Sequence, residues 1–165
     1  MPPWLWITVG LGWTIILMLL VRIVWRALFA QTILTRYPGG IELGGTAYGG
    51  QATYRCLQWL IDPNDPQPCP LALHLPGGDL VGDALCDWNA TYEARKLGAP
   101  QELEVFPYHQ YGKIIGVSIR MIPEGPLWAR PVTVSVAGTR FQLPLSEKEA
   151  VRLLGEPTQQ QALQL

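Results

Sequence analysis

Residues 3–21 read Pro-Trp-Leu-Trp-Ile-Thr-Val-Gly-Leu-Gly-Trp-Thr-Ile-Ile-Leu-Met-Leu-Leu-Val, nineteen in a row without a charged side chain. Ile23, Val24 and Trp25 carry the apolar run past Arg22. At about 1.5 Å rise per helical residue the run reaches roughly 30 Å, the thickness of a bilayer's hydrocarbon core. No later segment approaches this length. The chain therefore reads as a transmembrane helix over residues 1–26, a linker over 27–40, a mainly-β soluble domain over 41–156 and a flexible tail over 157–165.

A cleaved signal peptide needs a positive segment ahead of its apolar core and small residues at the cleavage site. Here the run starts at once, and Leu28 sits poorly at the third position back from a cut after Ala30, so the helix is expected to stay. Arg22, Arg26 and Arg36 all lie behind the run and none lies ahead of it. The positive-inside rule then puts the N-terminus outside and the domain in the cytoplasm of a bacterial inner or intracytoplasmic membrane. A periplasmic domain is the competing orientation. Trp4 and Trp25, with Arg22 and Arg26, suit the two interfaces as anchors.

Trp13 falls near mid-membrane, where anchoring does not explain it. Trp6 and Trp13 are seven residues apart and share a helix face with Gly10 between them. Small residues in such a position let a second helix approach closely, so Trp6, Gly10 and Trp13 are expected to pack against a partner helix. The bland alternative is ordinary membrane composition. The span holds no His, Asp, Glu or Lys, so no proton relay is expected there, and contact with a pigment would come without ligation.

Setting aside Arg22 and Arg26, ten Lys and Arg face thirteen acids, so the domain is mildly acidic. No basic run is present, which speaks against nucleic acid as a partner. It also speaks against anionic lipid binding through the domain, leaving Arg22 and Arg26 to touch headgroups. Cys56, Cys69 and Cys86 are odd in number and widely spaced, a poor disulfide or zinc framework, and read as free thiols in a reducing compartment.

Along the domain, Ile41–Tyr48 and Leu71–Leu75 read as strands, and 52–61 suits a helix or a strand. The Gly-Gly pairs at 39, 44, 49 and 77 read as turns. Between 87 and 95, Trp88, Ala90, Tyr92 and Ala94 alternate with polar residues, the period of a half-buried strand. That strand is expected to form a hairpin with 102–107, so that Trp88, Tyr92, Leu103 and Val105 face one core. A strand over 113–122 and a hairpin of 131–136 with 140–143 follow. Ser146 and Glu149 form a capping box that opens a short helix ended by Gly155. The fold class is one membrane helix plus a small antiparallel sandwich or barrel with one short C-terminal helix.

No residue pattern supplies a catalytic, cofactor or metal site. His109 lies in an expected loop, Pro107-Tyr-His-Gln-Tyr-Gly, where a general base is weighed against a hydrogen-bonded loop histidine. His74 reads as a strand residue. Asp79, Asp83 and Asp87 recur every fourth residue but lack calcium-loop spacing. One span, an outside N-terminus and a cytoplasmic β-rich domain resemble, in layout alone, the H-type subunit of bacterial photosynthetic reaction centres. The resulting expectation is a non-enzymatic accessory subunit without cofactors. It would pack among the integral membrane subunits and lipid of a photosynthetic or respiratory complex and cap them. The alternatives are a periplasmic domain for envelope assembly or secretion, and a tethered enzyme using His109.

Overall fold

The computed structural model of the protein describes residues 2–65, 67–122 and 130–163. Helix α1 runs Pro3–Phe29, and after Ala30 the chain enters β1 (Gln31–Tyr37), β2 (Ile41–Tyr48) and β3 (Gln51–Leu60). Strands β4 (Leu71–Leu75) and β5 (Gly78–Val81) lead through a 3-10 turn at Gly82–Ala84 to helix α2 (Ala90–Lys96). Next come β6 (Leu103–Gln110), β7 (Lys113–Met121), β8 (Val132–Val136) and β9 (Thr139–Leu143). The short β10 (Leu145–Ser146), helix α3 (Glu147–Leu154) and β11 (Gln159–Leu163) complete the described elements. One sheet has the order β11-β1-β2-β3-β7-β6, with β10 also paired to β3, and the other has the order β5-β4-β8-β9. The strands pair antiparallel.

The core lies between the inner faces of these two sheets. Leu43, Tyr54, Leu57, Val117 and Ile119 of the larger sheet are fully buried, as are Leu71, Leu73, Val134 and Leu143 of the smaller one. These residues hold the alternate positions of their strands, the period that lets one face leave water. In β3 the alternation slips, because Gly44 pairs with Cys56 while Gly45 pairs with Tyr54. Arg55 is the extra residue of this bulge and is exposed. Gly44–Gly45 is therefore no turn but sits inside β2, where a Cβ on Gly45 would run into the Thr53 carbonyl.

The hairpin β8–β9, the strand β7 and the capped helix α3 fall where the sequence puts them, with Ser146 Oγ accepting from the Glu149 amide at 3.3 Å. Four segments differ. The alternating stretch 87–95 is not a strand. Its chain turns at Asp87, whose Oδ1 accepts from the Asn89 amide at 3.0 Å, and then winds into α2. Ala90 and Ala94, four apart, form the buried stripe, while Trp88 and Tyr92 are 70% and 60% exposed. Small residues at i and i+4 satisfy a helix as well as a strand, and Ala, Glu, Arg and Lys favour the helix.

The expected hairpin partner, 102–107, falls in β6 from Leu103 on, and β6 instead pairs with β7 around Tyr111 and Gly112, both at positive φ. Helix α2 covers the outer edge of β6. Thr91 Oγ1 donates to the Val105 carbonyl at 2.9 Å and accepts from the Val105 amide at the same distance. Pro107 has no N–H to offer along that edge, which leaves it a poor template for another strand.

The segment expected to be a linker carries β1, with Ile33, Thr35 and Tyr37 buried, and the expected flexible tail carries β11, paired to β1. Thr35 hides in the pattern because its hydroxyl is matched by Tyr54 Oη at 2.8 Å. Strand β11 buries no side chain and is held through its backbone, so hydropathy gives no trace of it.

Candidate functional site: the membrane helix and its junction with the domain

Helix α1 is long and apolar enough to cross a membrane, and no residue along it is buried by the rest of the chain. Trp6 and Trp13, each 68% exposed, stand on one face, and a Cβ added to Gly10 between them would meet nothing within 4 Å. The described residues therefore leave this face open. The nearby hydroxyls are already committed, Thr8 to the Leu5 carbonyl at 2.9 Å and Thr14 to the Gly10 carbonyl at 2.8 Å. Shape, not polar bonding, is what the face offers a neighbour. Trp4 is exposed near the start, and Trp25 packs on Phe29 with ring centroids 4.6 Å apart.

The span does not end in a loose linker. Only Ala30 separates it from β1, and the Arg26 guanidinium lies 5.3 Å from the centre of the Tyr48 ring at the end of β2. The domain thus follows the helix directly and touches its end through Arg26 and Tyr48. Tyr48 gave no sign of this role in the sequence.

Away from the junction, two clusters could carry chemistry. His109 closes β6 and stacks on Trp88 with centroids 4.6 Å apart and planes 16° from parallel. No acid pairs with it among the described residues. The more telling cluster is one the sequence concealed. His74 Nε2 is 3.0 Å from Ser135 Oγ, and His74 Nδ1 is 3.0 Å from Asp79 Oδ1. The order is that of a nucleophile, a base and an orienting carboxylate, but Nδ1 lacks the geometry of a hydrogen bond to Asp79. Ser135, however, is buried in the middle of β8, whose backbone is paired on one side with β4 and on the other with β9. The amides beside it are spent on the sheet, so no pair of N–H donors faces an oxyanion there. The arrangement serves as a cross-strand polar ladder on the outer face of the smaller sheet. Asp79, Asp83 and Asp87 lie on β5, the 3-10 turn and the turn before α2, not on one helical face.

Burial favours the protonated form of the thiols, most strongly at Cys86, the only one of the three residues that is buried. Cys69 and Cys86 hydrogen-bond to each other. Desolvation, then the neighbouring Cys69, pushes Cys86 up to about 12, and desolvation also raises Cys69 and Cys56. At pH 8 a thiol shifted this far holds on the order of a thousandfold less thiolate than an ordinary one. Iodoacetamide is therefore expected to modify Cys86 far more slowly in the folded protein than in guanidinium, with the rate rising as the pH climbs toward 12. Equal rates in the two states would show that Cys86 is not buried.

No known family, no curated protein and no solved structure matches this chain.

Proposed function

We propose that this chain is a non-enzymatic, single-pass accessory subunit of a larger bacterial membrane complex. Its helix packs among the helices of partner subunits, and its β domain caps them on the cytoplasmic face. A photosynthetic or respiratory complex is the setting that suits the layout. The observation that carries the reading is the Trp6, Gly10 and Trp13 face, which stands open along a helix whose own hydroxyls are satisfied. In a bilayer no hydrophobic drive favours one helix over lipid, so a glycine between large rings is useful chiefly where another backbone comes close. The one-residue joint at Ala30 adds to this, since it holds the domain where it would cover a neighbour's membrane surface.

A second reading, a periplasmic domain serving envelope assembly or secretion, has one observation in its favour. Cys69 and Cys86 are adjacent, as a pair that is bridged in an oxidising compartment would be. One experiment separates the two. The protein is purified in mild detergent from cells carrying Lys113→Cys, an exposed position at the tip of the β6–β7 hairpin. Before lysis those cells are treated with a membrane-impermeant maleimide. The accessory-subunit reading expects integral membrane proteins at fixed stoichiometry and no labelling until the cells are broken. Recovery of the chain alone overturns that reading, and labelling of intact cells moves the domain to the periplasm.

A further inference from the structure

The last turn of α1 and the β2–β3 hairpin line an open cleft of about 290 Å³, with Arg26, Tyr48, Arg55, Thr46, Thr53 and Gln51 along it. Thr46 pairs with Thr53 and Tyr48 with Gln51 across the hairpin, so their side chains share the outer face of the sheet. The β3 bulge adds Arg55 to that face. Tyr48 also closes the end of a second hollow, an apolar groove along α1 formed by Leu17, Met18, Val21 and Trp25 with Arg22 at its rim. The two hollows therefore meet at Tyr48.

Among the described residues, Arg36, Arg120 and Arg152 are paired with Glu42, Glu104 and Glu149; Arg95, Arg130 and Arg140 have no acidic partner either, but of the arginines without one it is Arg22, Arg26 and Arg55 that line the two hollows meeting at Tyr48. Three guanidiniums without a counter-ion, at the level where an apolar span ends, call for an anion. Planar guanidinium groups with hydroxyls beside them suit phosphate oxygens. The groove running from the same point down an apolar helix suits an acyl chain. A free phosphate would use the cleft and leave the groove idle. The overall acidity of the domain does not reach this corner, where Arg55 is the side chain the composition hid.

We infer that the junction of helix and domain is a binding site for one anionic glycerophospholipid. Its headgroup phosphate lies between Arg26 and Arg55, Arg22 supports it from the rim, and one acyl chain lies along Leu17, Val21 and Trp25. Such a site would fix the height and tilt of the domain on the membrane, whichever proteins the chain joins.

Native mass spectrometry of the full chain in detergent tests this, with phosphatidylglycerol, phosphatidylcholine or inorganic phosphate added in turn. One phosphatidylglycerol per chain is expected, retained roughly tenfold better than phosphatidylcholine. Inorganic phosphate should not displace it. Arg26→Gln combined with Arg55→Gln is expected to erase the preference between the two lipids. Val21→Trp keeps every charge but fills the groove, and it should lower retention of both lipids. Arg55 is exposed, so Arg55→Gln alone, checked by circular dichroism, gives the same answer if the double variant misfolds. Equal retention of the two lipids, or an unchanged preference in Arg55→Gln, overturns the proposal. Displacement by inorganic phosphate with Val21→Trp silent would show a free-anion site instead, and would overturn it too.

Discussion

Leu57→Ala is expected to destabilise the domain by roughly 2–5 kcal/mol, and Trp88→Ala by about 1 kcal/mol or less. Leu57 is fully buried on β3, a strand with neighbours on both sides, and its side chain packs between the two sheets. Removing three carbons there forfeits their transfer out of water and leaves a cavity that paired strands cannot collapse. Trp88 is the larger residue, yet it is 70% exposed and rests chiefly on His109. The measurement is thermal unfolding in detergent followed by circular dichroism in the β region, where α1 contributes no transition of its own. Leu57→Ala should lower Tm by roughly 10 °C or more and Trp88→Ala by a few degrees. A larger loss for Trp88→Ala would restore residues 87–95 to the core as a strand and remove α2.

These two residues also mark what the sequence could and could not disclose. The span was legible because nineteen uncharged residues admit few other structures. Likewise β7, the β8–β9 hairpin and α3 announce themselves through β-branched runs, a tight turn and a capping box, all local chemistry. Residues 87–95 misled because Ala90 and Ala94 are both two steps and four steps from their apolar neighbours, so one pattern fits two periods. Strand β1 was obscured by Thr35, a polar residue that is buried only because Tyr54, nineteen residues on, meets its hydroxyl. Strand β11 left no side-chain signal. The Ser135, His74 and Asp79 ladder and the Arg26, Tyr48 and Arg55 cleft are products of strand register, and register depends on pairings far apart in sequence.

The open face of α1 gives the sharpest functional expectation. Gly10→Leu should abolish most co-purification of partner membrane proteins, a loss of about tenfold or more in mild detergent, while the chain still inserts. A Cβ at Gly10 meets nothing within the chain itself, so the substitution costs the isolated helix no clash and, if anything, improves its helix propensity. What changes is the distance of closest approach. Leucine between Trp6 and Trp13 fills the notch into which a neighbouring backbone would settle, and packing forces that act only in contact fall away. Thr14 does not compensate, because its hydroxyl is already bonded to the Gly10 carbonyl. Leu20→Ala is the matched control. It alters an exposed leucine further along the span, at the cost of apolar surface but without blocking a close approach, and should leave assembly largely intact. Both variants are compared in membranes for amount and in detergent for companions, so poor expression and lost assembly are told apart. If Gly10→Leu keeps its companions in full, α1 only tethers the domain, and any complex this chain joins is held through the β sandwich instead.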